Sequence, residues 1–243
     1  MTSYRNQYYQ NPYASRVNID GTPTLAKMMQ ARLPDVGIIL DIGAGRGGRP
    51  LHPCKRSGIT LIGVDKSEEV RLNNHLDRYV IQDAEGLPFE TATIDAVFSD
   101  FTFEHFSAPE KVISEISRVL KPGGSLVFRT VNAFHYVAIC ALILQGRTRA
   151  TILSKLGRSP DEAFPTYYRI NTRRSILRTL ELNGLDVEEM IFVEGPPDYL
   201  AFSKTLYRLG VLYERVANTS HRTRLLRANM IVAARKRLKR RDD

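Results

Sequence analysis

Four short apolar runs, each ending on an aspartate, constrain this chain more than any other feature. They read VGIILD at 36–41, ITLIGVD at 59–65, RYVIQD at 78–83 and IDAVFSD at 94–100. Continuous apolar runs of this length, without polar alternation, suit strands buried on both faces. The segments between them have crossover length, so the pattern predicts βα units on a parallel sheet.

The rest of the chain extends that pattern. Thr22 to Leu33 has helix-forming composition, with Thr22 as N-cap and Pro23 at the first helical position. After the fourth run, Ser107 and Glu110 have capping-box spacing, and Val112, Ile113, Ile116, Val119 and Leu120 recur at helical intervals. KPGG at 121–124 stops that helix, and SLVFRTV at 125–131 reads as a fifth strand. A helix over 171–184 ends at Asn183-Gly184, LDVEEMIFVEG at 185–195 reads as a sixth strand, Tyr199 to Ala217 as a helix, and LLRANMIVAAR at 225–235 as a last strand. In that last helix Leu206, Leu209, Tyr213 and Val216 share one face and Lys204, Arg208 and Arg215 another. Packing on the domain is the ordinary use of such a face, and docking on an anionic membrane surface the sharper one.

At 243 residues the chain can bury one large α/β core. Cys54 and Cys140 lie far apart with no ligand at zinc spacing, so neither a disulfide framework nor a metal site is expected. The polar, tyrosine-rich start lacks the apolar segment of a secretory signal, and AFHYVAICALIL at 133–144 is shorter than the roughly 20 residues that span a bilayer. The expected location is therefore the cytoplasm. The net charge of +9, with ARKRLKRRDD at the end, leaves room for peripheral contact with an anionic membrane through the basic C-terminal region.

Gly43, Gly45 and Gly48 satisfy the dinucleotide pattern G-x-G-x-x-G, and Asp65 stands where a ribose-binding carboxylate belongs. Asp41 argues for a different ligand. A pyrophosphate beside that carboxylate would meet a like charge, at a cost on the order of a few kcal/mol in a partly buried site. A cationic ligand without phosphate would gain from it.

Asp41, Gly43, Gly45 and Gly47 also stand as D-x-G-x-G-x-G, which resembles the first motif of the class I S-adenosylmethionine-dependent methyltransferases, in particular the small-molecule subgroup. QDAEGLPFETATIDAVFS at 82–99 resembles that family's adenine-binding stretch, and FEHF at 103–106 followed by EISRVLKPGGSLVF resembles its loop, helix and fifth strand. The likeness covers about residues 36–130 well and the rest loosely. It implies a Rossmann-like α/β fold, a mostly parallel seven-stranded sheet flanked by helices with an antiparallel last strand. The implied cofactor is S-adenosyl-L-methionine, held by Asp41, Gly43, Gly45, Gly47, Asp65, Lys66, Asp83, Ala84 and Ser99. Arg46 and Arg49 depart from the usual loop composition, and we expect them to face water. Asp95 reads as structural.

Methyl transfer needs orientation and, for a hydroxyl acceptor, removal of a proton. His105, just beyond the fourth run, is the candidate base. The segment 132–170 and the helix after the sixth strand follow strand ends that face the cofactor in this fold, so His135, Tyr167 and Tyr168 are candidate substrate residues. His52, His75 and His221 belong to no constellation. The expected organisation is a single domain over 1–243: a cofactor core at about 22–130, lid insertions at about 132–170 and 196–220, and a basic tail at 235–243. The expected acceptor is a small or lipid-linked molecule methylated at oxygen. Nucleic acid is disfavoured, because SDFTFEHF stands where an Asn/Asp-Pro-Pro-Tyr type motif would lie. A nicotinamide-dependent oxidoreductase on the same glycines and a binding protein without turnover remain open, and the oligomeric state is not legible.

Overall fold

The computed structural model describes residues 21–47, 56–143 and 165–238. Seven strands form one sheet in the order β3-β2-β1-β4-β5-β7-β6. They are β1 Gly37–Ile42, β2 Ile59–Asp65, β3 Arg78–Ile81, β4 Ile94–Asp100, β5 Leu120–Val131, β6 Leu185–Val193 and β7 Asn229–Lys236. The four aspartate-ended runs supply β1 to β4, paired in parallel with β1 between β2 and β4. Where the run is continuously apolar the strand is central, and Ile39, Leu40, Ala96, Val97 and Phe98 are fully buried. RYVI, with Tyr79 46% exposed, is an edge.

β5 is parallel to β4. β7 runs against both its neighbours. The amide of Asn132, just after β5, donates to the carbonyl of Ala228, just before β7, at 2.7 Å, and the amide of Arg237 donates to the carbonyl of Gly184 at 2.9 Å. The expected fold, a mostly parallel sheet with an antiparallel last strand, is the observed one.

The helices are α1 Thr22–Gln30, α2 Pro109–Val119, α3 Tyr136–Ile143, α4 Arg173–Leu182 and α5 Lys204–Asn218. α1 ends three residues short of the expected Leu33 and buries Leu25, Met28 and Met29. The capping box expected at Ser107 is absent: Ala108 holds the cap position of α2, Pro109 opens the helix, and Ser107 Oγ instead donates to Glu85 Oε1. KPGG does end α2, but it already belongs to β5, which begins at Leu120. Gly123 at φ +80° lies in the register shift that brings Ala96 opposite Ser125. α4 carries a capping box that the sequence reading did not single out, Thr172 with Ser175. The expected helix from Tyr199 begins instead at Lys204, preceded by a 3-10 turn at Asp198–Leu200.

The orientation of α5 overturns the expected packing. Its inward face is Tyr207, Gly210, Val211, Glu214 and Ala217, while Leu206, Leu209 and Val216 are exposed and Tyr213 is half-buried. Gly210 is the reason. A Cβ there would lie 2.5 Å from Pro197 Cβ, so the backbone itself presses on the preceding turn along that face.

By contacts the described residues divide into two units. One comprises 23–47, 56–130, 167–191 and 231–238 and holds the body of the sheet with α2 and α4. The other comprises 21–22, 131–143, 165–166 and 192–230, the segments that follow β5 and β6, with α3 and α5. No described helix is long and apolar enough to cross a membrane.

Candidate active site

The site lies wholly in the sheet-bearing unit, at the carboxyl ends of β1, β2 and β4. Three glycines after β1 take positive φ, at +74° for Gly43, +48° for Gly45 and +82° for Gly47. Their surroundings differ. A Cβ on Gly43 would collide with the Thr102 side chain, and one on Gly47 would lie 2.6 Å from Asn73 Oδ1. A Cβ on Gly45 would meet nothing within 4 Å. Gly43 and Gly47 therefore permit close packing of the loop, whereas the space beside Gly45 is open to a ligand. Gly48 and Arg49 lie outside the described residues.

The amides of this loop are already engaged. Gly43 and Ala44 donate to the Val64 carbonyl at 2.8 and 3.4 Å, and Gly45 donates to Asp65 Oδ2 at 2.9 Å. Asp65 Oδ1 accepts the amide of Ser67 at 2.8 Å, so one carboxylate joins the glycine loop to the turn after β2. Asn73 Nδ2 donates to the Ala44 carbonyl at 3.1 Å and braces the loop from the other side. A pyrophosphate cradle depends on amides pointing at the ligand. Here the amides of 43–45 serve protein acceptors.

A recess opens against this loop, lined by Leu25, Met29, Asp41, Asn73, His75, Ser99 and Asp100 together with Gly43, Ala44 and Gly47. Asp41 is only 4% exposed. Ser99 faces Ile42 across the sheet and donates to its carbonyl at 2.8 Å, closing the junction of β1 and β4. Asp100 is neutralised by a bidentate pair: Arg129 Nε and a terminal nitrogen donate to its two oxygens at 2.7 and 2.8 Å. That guanidinium is 3% exposed and also lies 4.3 Å from the Phe101 ring centroid. Asp100 was legible as the end of a strand, but its partner lies 29 residues away and nothing local announces it.

Asp83 and Ala84 follow β3. Asp83 is exposed and its Oδ1 accepts the Glu85 amide at 3.0 Å, while Ala84 is buried. The stretch beyond is held from α2. Arg118 donates to the carbonyls of Phe89 and Leu87 at 2.8 and 2.9 Å, and Glu115 Oε2 accepts the Leu87 amide at 2.8 Å. The hydrogen bond from Arg118 holds the Glu115 carboxyl below its ordinary value. Their partners lie 28 to 31 residues away, and nothing local in the sequence announces either role. Lys66 and Arg46 are exposed, and Arg46 lies 3.7 Å from Glu69 in a solvated pair, as expected of a water-facing residue. Asp95, at the opposite end of β4, accepts the Ile38 amide and Lys121 Nζ and is structural, as read.

The turn Phe103–His105 follows β4. Its glutamate is a hub: Glu104 is 4% exposed, its Oε2 accepts Thr130 Oγ1 at 2.9 Å, and Thr130 in turn accepts Asn171 Nδ2 at 2.7 Å. The Glu104 carbonyl accepts the amides of Tyr167 and Tyr168 at 2.8 and 3.3 Å. His105, half-buried, and the two tyrosines are thereby gathered on one turn. His135 is in the other unit. It is 2% exposed, its Nε2 lies 3.3 Å from Glu194 Oε2, and the Tyr136 ring stands 4.2 Å away. Burial, with Glu194 nearby, pushes the Tyr213 phenol in the same cluster up to about 12.

Residues 40–128 match the family model of a methyltransferase domain. A malonyl-[acyl-carrier protein] O-methyltransferase of Methylococcus capsulatus is 31% identical over 219 residues, covering 81% of this chain and 73% of that protein. A dimethylglycine N-methyltransferase of Parasynechococcus marenigrum is 31% identical over 150 residues, or 56% of this chain, which spans only half of that relative's length. In fold, the chain is similar to geranyl diphosphate C-methyltransferase from Streptomyces coelicolor A3(2), solved with Mg2+, geranyl diphosphate and S-adenosyl-L-homocysteine, at a TM-score of 0.53 and 19% identity over 88% of this chain and 77% of that one. The cofactor is S-adenosylmethionine. An open space at Gly45, a buried carboxylate at Asp41 and loop amides withheld from phosphate all suit that cation. The chain belongs to the class I S-adenosylmethionine-dependent methyltransferases.

Proposed function

We propose that the chain methylates an oxygen atom of a small or lipid-linked acceptor, with His105 as the base that takes the acceptor's proton. When bound, the cofactor supplies a methyl group activated on a sulfonium, so the protein's own task is to bind, orient and deprotonate. Asp65 would take the ribose hydroxyls, the exposed Asp83 and buried Ala84 would flank the adenine, and Asp41 would favour the positive end of the ligand.

One observation carries the assignment of His105. Glu104 is buried and committed to Thr130, and its carbonyl binds the Tyr167 and Tyr168 amides, so the Glu-His turn offers His105 as its titratable group at a defined place beyond β4. A neutral imidazole suits proton transfer near pH 7. His135, buried against Glu194, is assigned to packing within its own unit. Malonyl-[acyl-carrier protein] O-methyltransferase being among the relatives supports an oxygen acceptor, and the N-methyltransferases beside it make the atom worth measuring.

The test uses cofactor labelled with carbon-13 on the methyl group and a panel of acceptors that carry hydroxyl and amine groups. Product resonances should fall in the O-methyl range, and His105→Ala should lower turnover about a hundredfold with S-adenosylhomocysteine affinity retained. Label in an N-methyl group, or unchanged turnover, would overturn the proposal.

A further inference from the structure

The turn between β2 and β3 supplies a wall of the recess, through Asn73 and His75. In the sequence His75 belongs to no constellation; the structure corrects that reading, because the turn is fastened at both ends and holds His75 against the site. Asn73, 5% exposed, donates from Nδ2 to the Ala44 carbonyl at 3.1 Å, and its Oδ1 accepts the His75 amide at 3.2 Å. Beyond His75, the Leu76 side chain fills the space that a Cβ on Gly63 of β2 would need. The Asp77 amide donates to the Leu61 carbonyl at 2.9 Å, and Asp77 Oδ2 accepts the Leu61 amide at 2.8 Å. His75 is thereby fixed, half-buried, between the glycine loop and β2.

The side chains around the recess sort by charge. Asp41 and Asp100 are its carboxylates, and Asp100 is already matched by Arg129. Ser99 directs its hydroxyl to the Ile42 carbonyl, and Asn73 places a donor on Ala44. Among the described residues of the lining there is no lysine or arginine, so His75 is its one basic side chain. Leu25 and Met29 supply the apolar part.

A ligand matched to this lining has a cation for Asp41, an acceptor for the imidazole and an apolar stem between them. The amino-acid end of S-adenosylmethionine has all three, as an ammonium, a carboxylate and a methylene chain. A carboxylate brought close to Asp41 meets a like charge unless a donor stands beside it. An imidazole offers an N–H in its neutral and in its protonated form.

We propose that His75 binds the carboxylate at the amino-acid end of the cofactor while Asp41 faces its ammonium. This role rests on the cofactor occupying the recess, and is independent of the acceptor and of His105. It adds to the glycine loop, Asp65 and the stretch after β3 a further contact segment, the turn from Asn73 to Asp77.

Calorimetric titration of the full chain with a series of ligands tests the role. The series is S-adenosylhomocysteine, its decarboxylated analogue, which keeps the amine, and 5′-methylthioadenosine, which lacks the amino-acid end. His75→Ala should weaken S-adenosylhomocysteine by about tenfold or more and leave the other two within about twofold. His75→Gln keeps an N–H donor and should bind S-adenosylhomocysteine at least about threefold better than His75→Ala does. Asp41→Asn should weaken S-adenosylhomocysteine and the decarboxylated analogue alike and spare 5′-methylthioadenosine. Equal losses for every ligand in His75→Ala would make the histidine a structural part of its turn and overturn the proposal. Unchanged S-adenosylhomocysteine affinity in His75→Ala, with Asp41→Asn weakened, would leave the cofactor in the recess and refute the histidine alone. If neither substitution alters binding, the recess is not the cofactor's and the proposal falls with that site.

Discussion

Asp65 does two jobs that a single substitution can separate. Its carboxylate accepts the Gly45 and Ser67 amides at 2.9 and 2.8 Å, so Asp65→Ala removes two hydrogen bonds to an ionised group before any ligand is considered. Bonds to charged groups contribute about 1.5–3 kcal/mol each, but Asp65 is half-buried and water can reach the orphaned amides. The expected loss of stability is therefore about 1–2 kcal/mol, or roughly 2–8 °C in melting temperature for a chain of this size. Cofactor affinity falls further, because the ribose contact goes and the loop that shapes the site loosens. About 2 kcal/mol corresponds to roughly thirtyfold in Kd. Calorimetric titration with S-adenosylhomocysteine, paired with a thermal melt, reads both quantities. Asp65→Asn should recover less than half of the lost affinity, since one oxygen becomes a donor facing a donor. Affinity within twofold of the natural chain for the alanine variant would refute the reasoning, whatever the melt shows.

Two further substitutions separate glycines that look alike in the sequence. Gly45→Ala meets no neighbour within 4 Å, so its stability should fall only about 1 kcal/mol for the left-handed backbone, while its methyl occupies ligand space and weakens binding at least tenfold in the same titration. Gly47→Ala drives a methyl toward Asn73 and should lose about 2–3 kcal/mol in urea unfolding, with equal stability in the two variants counting against this distinction. Asp100→Asn leaves the buried Arg129 guanidinium facing an amide; a loss of about 3 kcal/mol is expected in the same unfolding experiment, and less than about 1 kcal/mol would show that the pair contributes little.

How much of this was legible before folding depended on whether the signal was local. The strands were readable because the middle of a strand buried on both faces must be apolar, as Ile39–Leu40 in β1, Leu61–Val64 in β2 and Ala96–Phe98 in β4 are. The glycine loop was readable because three residues at positive φ within five positions admit few side chains. Ser107 misled: its spacing to Glu110 is that of a capping box, yet Pro109 opens the helix one residue later and the hydroxyl turns to Glu85.

The stripe on α5 shows the limit most plainly. Its periodicity correctly announced an amphipathic helix, but that helix has more apolar residues than one face can bury, and periodicity cannot say which set goes inward. Gly210 against Pro197 made that choice. The amino-acid order by itself determined the alternation of strands and crossovers, the charge beside the glycines and hence the class of ligand, because each follows from neighbours within one run of chain. Tertiary structure alone decided that Asp100 is neutralised by Arg129, that Arg118 holds the stretch after Asp83, that Glu104 is a buried hub and that His135 is enclosed by Glu194. These pairings join residues 26 to 59 positions apart, and a contact between distant positions leaves no mark on either segment until the sheet brings them together.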